Sequence, residues 1–261
     1  MLLELKNISL RYSGAGGEAF NLLDGVELSV EAGTVTALIG GNGAGKTTLF
    51  NIVSGFEKDF RGQVLLDGAD ITALPAHRIA RRGIGRLFQG RQLLGDLTLM
   101  ENLIIASDET AGEKPFASLF LRRAINKSEA EKKEKAVAIL EKVFGSGNKY
   151  LGLLDRKASE LSFGEQRLLA LVRLLMGEGR LLLLDEPTSG VNPRYIEKIG
   201  EIVRDMVDKE KKTVLLIEHN MSFVRSVADR CYYLADGRII RSGAVSEILD
   251  DPVIHKDYLG L

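Results

Sequence analysis

The chain is 261 residues long, with 35 basic and 36 acidic residues, a net charge of -1 and a single cysteine. That length buries a sizeable core without disulfide or metal staples, and the near-neutral balance excludes nucleic-acid binding driven by bulk charge. Hydrophobic residues at 45% and charged residues at 27% exclude wholesale disorder, and Cys231 alone makes neither an intrachain disulfide nor a cysteine-cluster zinc site.

The opening Met-Leu-Leu-Glu-Leu-Lys has neither the basic stretch nor the apolar core of a signal peptide. No apolar run approaches the ~18 residues of a membrane span. Both points predict a cytoplasmic chain that meets a membrane only through partners. Leu3, Leu5 and Asn7 alternate with Glu4 and Lys6, and Val26, Leu28 and Val30 with Glu27 and Ser29. This predicts short strands on either side of a glycine-rich loop at 13–17. Val35–Ile39 reads as a buried strand, and a helix is expected over 46–54, stopped by Gly55.

From about 90 to 158 the pattern turns helical. Thr98 with Glu101, and Ser128 with Glu131, are capping-box pairs. The second is expected to open a helix whose charged first half is a solvated face. Leu181–Asp185 and Thr213–Ile217 read as buried strands, Asn192 caps a helix with Pro193 in its first turn, and Asp236-Gly237 marks a hairpin turn. The expected fold class is α/β: a phosphate-loop core (1–89 and 159–245), with an N-terminal antiparallel β subdomain. A helical subdomain (90–158) is inserted in it, and a tail (246–261) follows.

Gly40-Gly41-Asn42-Gly43-Ala44-Gly45-Lys46-Thr47 fits G-x-x-x-x-G-K-[ST], between a predicted strand and a predicted helix. Glycines let successive N–H groups turn inward around phosphate oxygens, and the following helix offers its N-terminus to the same anion. Lys46 can reach the β- and γ-phosphates, and Thr47 can ligate Mg2+. Downstream, Leu181–Asp185 ends in the adjacent acids Asp185 and Glu186. The first can hold Mg2+, and the second can orient or deprotonate an attacking water.

Leu161-Ser162-Phe163-Gly164-Glu165-Gln166 precedes a helix and resembles the LSGGQ signature of ATP-binding-cassette (ABC) ATPases. Tyr12, the loop at 40–48, Gln89, this signature, Asp185-Glu186, the segment 189–192 and His219 stand in that family's order. The resemblance implies ATP and Mg2+ as cofactors. It implies that Gly40, Asn42, Gly43, Ala44, Gly45, Lys46, Thr47 and Thr48 contact the phosphates, and that Tyr12, or alternatively Phe20, stacks on adenine. It further implies Thr47, Gln89 and Asp185 at the metal, Glu186 as general base, and His219 at the γ-phosphate. Ser162 and Gly164 would serve a second ATPase subunit, in a homodimer or heterodimer. Phe163 stands where that signature has glycine and Glu165 where it has glutamine. A carboxylate aimed at a γ-phosphate is repelled, so Glu165 is expected at the rim or ribose.

Ile84-Gly85-Arg86-Leu87-Phe88-Gln89, Glu101-Asn102-Leu103, Gly190-Val191-Asn192-Pro193, Glu218-His219-Asn220-Met221 and Tyr258-Leu259-Gly260 resemble the ATPase subunits of branched-chain amino-acid importers. The resemblance implies integral membrane permease subunits as partners, and a peripheral place at the inner face of the cell membrane. Lipopolysaccharide-export ATPases are the rival within the family. Arg78, Arg81, Arg82, Arg86 and Arg91 read either as a surface that meets a membrane subunit or as a solvated helix face. A soluble ABC ATPase of DNA repair or cluster assembly would show a long coiled-coil insertion or cysteine clusters. No guanine-reading Asn-Lys-x-Asp follows a strand, which disfavours a GTPase.

Overall fold

The structure is a computed structural model and describes residues 1–13, 19–90, 93–106, 122–252 and 254. By packing, the chain divides into two compact units. The first comprises Met1–Gln89, Gly179–Ser189 and Ile196–Leu261; the second comprises Gly90–Glu178 and Gly190–Tyr195.

The first unit holds two sheets. β1 (Leu3–Ser13) and β2 (Ala19–Val30) pair antiparallel and are longer than the alternation predicts. Their four-stranded sheet is completed by β4 (Arg61–Leu66) and β5 (Ala69–Asp70), in the order β2-β1-β4-β5. The expected inward place of Asn7 is not observed. Asn7 is exposed with φ 52, the β1–β2 register shifts between Leu5 and Ile8, and the buried set changes phase from Leu3 and Leu5 to Ile8 and Leu10. This is a bulge, and asparagine tolerates the left-handed backbone it requires. The expected loop at 13–17 lies almost wholly outside the described residues.

The second sheet has the order β10-β9-β3-β8-β7-β6. Its strands are β3 (Val35–Ile39), β6 (Ile84–Leu87), β7 (Leu181–Asp185), β8 (Thr213–Ile217), β9 (Arg230–Ala235) and β10 (Arg238–Ala244). β9, β3, β8, β7 and β6 pair parallel; β10 returns antiparallel on β9. Every residue of β3, β7 and β8 is buried, as expected of parallel strands covered on both faces. The β9–β10 turn has Asp236 at φ 47 and Gly237 at φ 72, the paired positive dihedrals of a two-residue hairpin. α1 (Lys46–Val53) follows β3, and α2 (Ala76–Arg81) precedes β6. The core joins both sheets through Leu3, Leu5, Ile8, Phe50, Val53, Leu183 and Ile217.

The second unit is helical: α3 (Leu99–Ile104), α4 (Arg122–Phe144) and α5 (Phe163–Met176), with α3 packed on both of the others. Thr98 and Glu101 form the expected capping box. Within the described residues α4 already runs from Arg122, which places Ser128 inside the helix and not at its start. The Arg, Ala, Lys and Glu of this stretch are good helix formers, so the helix continues upstream of the predicted cap. α6 (Pro193–Asp208) begins in this unit and runs into the first. α7 (Met221–Val227) and α8 (Val245–Leu249) complete the described α-helices. Among the described residues no helix is long and apolar enough to cross a membrane.

Candidate functional site

Four neighbouring parallel strands end side by side. Their registers set Leu38 and Asp185 beside Ile217, and Leu87 beside Leu184. The residues just past those ends are Gly40, Gln89, Glu186 and His219. The topology thus gathers residues far apart in sequence along one carboxyl edge, where open α/β sheets bind ligands.

The loop Gly40–Gly45 curls between β3 and the first turn of α1. Gly40 has φ 156, and a Cβ there would lie 2.1 Å from the Leu234 carbonyl oxygen; Gly45 has φ 99 and is crowded by Leu23. A side chain at either position would displace the loop. Lys46 is buried, and its Nζ donates to the carbonyls of Gly40 and Gly41 at 2.8 Å each. Burial pushes its ammonium below the ordinary lysine value, while Glu186 and Asp185 pull it back up.

Glu186 has φ 47, uncommon for a residue with a side chain and typical of functional turns. Its amide donates to the Ile217 carbonyl at 2.9 Å. The carboxylate is held from two sides: Gln89 Nε2 donates to Oε2 at 2.9 Å, and His219 Nε2 lies 3.2 Å from Oε1. Glu218, to which spacing alone assigns no role, is buried. It accepts from the Thr188 amide (2.8 Å) and hydroxyl (2.6 Å), and from the amides of His219 (2.9 Å) and Asn220 (3.2 Å). One carboxylate therefore binds the turn after β7 to the turn after β8. An acid directly after the apolar run Val214–Ile217 is its only signal in the sequence.

Arg86 departs from the surface reading. Its side chain is 6% exposed, and Nη2 pairs with Asp185 Oδ2 at 3.3 Å. Arg78, Arg81 and Arg82 remain exposed; Arg91 lies outside the described residues.

Tyr12 and Phe20 face each other across β1 and β2, ring centroids 6.2 Å apart, and the Tyr12 hydroxyl donates to Glu57 at 3.2 Å. Phe20 also lines a cleft of about 540 Å3 that borders Gly41, Asn42, Gly43 and Ala44. Among the described residues no group of three or more His, Cys, Asp or Glu is gathered as a free-standing metal site. The Thr47 hydroxyl and Asp185 carboxylate are hard oxygen donors of the kind that hold Mg2+ together with substrate phosphates.

Ser162 and Gly164 lie in the second unit. Ser162 caps α5: its hydroxyl donates to Glu165 Oε2 at 2.7 Å, and its amide donates to the same atom at 3.1 Å. Lys149 donates to the other Glu165 oxygen. Glu165 therefore reaches back over its own helix start. A Cβ on Gly164 would lie 2.5 Å from the Tyr195 ring, so only glycine fits there.

A phosphate loop at the carboxyl edge of a parallel sheet, with paired acids two strands away, defines a nucleotide-binding ATPase core. The family model described as ABC transporter matches residues 23–189. The chain is 36% identical to the high-affinity branched-chain amino acid transport ATP-binding protein BraF of Pseudomonas aeruginosa, over 99% of this chain and 98% of that protein. It resembles the ADP conformation of MJ1267, an ATP-binding cassette of an ABC transporter, with a TM-score of 0.81 and 37% identity, over 100% of this chain and 99% of that one. It also resembles the dimeric structure of MJ0796, a bacterial ABC transporter cassette, at 0.76 and 25%, over 94% and 99%. The chain belongs to the ABC transporter family, as one of its ATPase cassettes.

Proposed function

We propose that this cassette binds ATP with Mg2+, closes on a second cassette, and by hydrolysis drives separate membrane permease subunits that import branched-chain or similar hydrophobic amino acids. It acts at the inner face of the membrane, held there by those subunits. The observation that carries the catalytic reading is Glu186 at the carboxyl edge, braced by Gln89 and His219. The solute class rests on likeness to BraF over nearly the whole chain.

In this reading Tyr12, with Phe20 beside it, stacks on adenine. The loop amides from Gly40 to Thr48 cradle the phosphates, and Lys46 exchanges its loop carbonyls for β- and γ-phosphate oxygens. Thr47, Asp185 and Gln89 would hold Mg2+, which neutralises charge on those oxygens. Glu186 takes the proton of the attacking water, and His219 contacts the γ-phosphate. Ser162 and Gly164 of the second subunit present the N-terminus of α5 to the same phosphate, an anion site completed in trans. ATP then joins two subunits and hydrolysis releases them. The dimeric MJ0796 cassette supports such pairing.

Glu186→Gln tests the assignment. It should bind ATP normally, lose about 10²–10⁴-fold in steady-state turnover, and accumulate a dimer on size exclusion with ATP. Normal turnover in this variant would remove Glu186 from the base role.

A further inference from the structure

Arg86 is a charged side chain almost wholly withdrawn from water, and its contacts have one theme. Nη1 donates to Asn51 Oδ1 at 2.9 Å and to Ser54 Oγ at 2.7 Å; Nη2 donates to Asp185 Oδ2 at 3.3 Å. The Ser54 hydroxyl itself donates to the Phe50 carbonyl, which turns its oxygen toward the guanidinium. Three rings close round the cation, with their centroids 4.5 Å (Phe88), 5.7 Å (Phe50) and 6.0 Å (Phe56) from the guanidinium carbon. One planar group thus joins the last turn of α1, the edge strand β6 and the end of β7.

We propose that Arg86 is a positioning residue for the metal-binding carboxylate, setting Asp185 relative to the helix that carries Thr47. This rests on the proposed role of Asp185 at Mg2+. Fixing Oδ2 fixes the plane of the carboxylate, and with it the direction of Oδ1. Asn51 stands on the same helix as Thr47 and Ser54 is its C-cap, so the guanidinium also fixes the spacing between the two oxygen donors. The cation sits at the C-terminal end of α1, the end where a helix dipole favours positive charge. The aromatic rings supply a face-on site that suits a flat guanidinium better than a compact ammonium. Groups that orient a metal's ligands carry much of its affinity, and their loss typically weakens binding about 10- to 100-fold.

The experiment measures ATP affinity by titration calorimetry, in Mg2+ and in EDTA, for the full chain and for Arg86→Met and Arg86→Lys. The quantity read is the factor by which Mg2+ tightens ATP binding. Arg86→Met should lower that factor about 10- to 100-fold and leave the EDTA affinity unchanged, with Arg86→Lys between it and the natural chain. Equal loss in both buffers would show general damage to the loop, and an unchanged Mg2+ factor would show no link to the metal; either overturns the inference. Where Arg86→Met does not fold, Arg86→Lys carries the test. The Mn2+ electron paramagnetic spectrum of its nucleotide complex should then differ from that of the natural chain, and an identical spectrum overturns the inference. If the natural chain itself shows no tightening by Mg2+, the metal reading of Asp185 falls first and takes this one with it.

Discussion

Glu165 stands where the family signature has a neutral side chain, and its carboxylate is turned back on Ser162 and Lys149. Burial pushes its carboxyl up, but the bonds from Lys149 and Ser162 outweigh burial and hold it below the ordinary glutamate range. A carboxyl depressed on folding stabilises the native state above its unfolded pKa, and that contribution is lost as pH falls through the folded value. The α5 cap is therefore intact at neutral pH and weakens on acidification. In the proposed dimer it would also set a negative charge at the helix end presented to the γ-phosphate. Glu165→Gln keeps a capping side chain and removes the charge. It should tighten ATP-dependent association by about 0.3–1 kcal/mol, measured by sedimentation in the Glu186→Gln background; no tightening would place Glu165 away from the phosphate. At this scale the legible residues were those whose spacing is itself the chemistry, such as Gly40 to Thr47. Arg86 and Glu218 were not legible as site residues, because their partners lie on other strands and helices.

Among the elements, the buried strands β3, β7 and β8 were readable as continuous apolar runs. β1 was readable only to Leu5, because a bulge reverses the inward phase and periodicity carries no signal for it. Asn7 sits at that reversal with φ 52, and its amide donates to Glu27 at 2.8 Å. Asn7→Val forces a β-branched side chain into the left-handed region and should cost about 1–3 kcal/mol, read as a lower urea midpoint. Asn7→Gly should leave the midpoint near its natural value. Equal midpoints for the two variants would mean the bulge relaxes freely. α5 shows a related limit. Chain order places residues from 159 onward with the core, whereas packing groups α5 with Gly90–Glu178. Three-dimensional neighbours, not position along the chain, decide that grouping.

For the whole molecule, the α/β class and the helical insertion followed from the order of strand, loop and helix signals; the joining of two sheets through one core did not. Cys231 lies in β9 with no solvent exposure, and burial pushes its thiol up to about 12. Thiolate is the reactive form, so alkylation at neutral pH should be undetectable by mass spectrometry in the native chain and complete in denaturant. Rapid labelling without denaturant would mean that β9 opens locally. The side-by-side strand ends have a temporal consequence as well. Gly40, Gln89, Glu186 and His219 are scattered along most of the chain, so no short fragment can hold them together. Contacts this distant in sequence form slowly. During synthesis, the site proposed for ATP hydrolysis is therefore assembled only after β8 has slotted between β3 and β7.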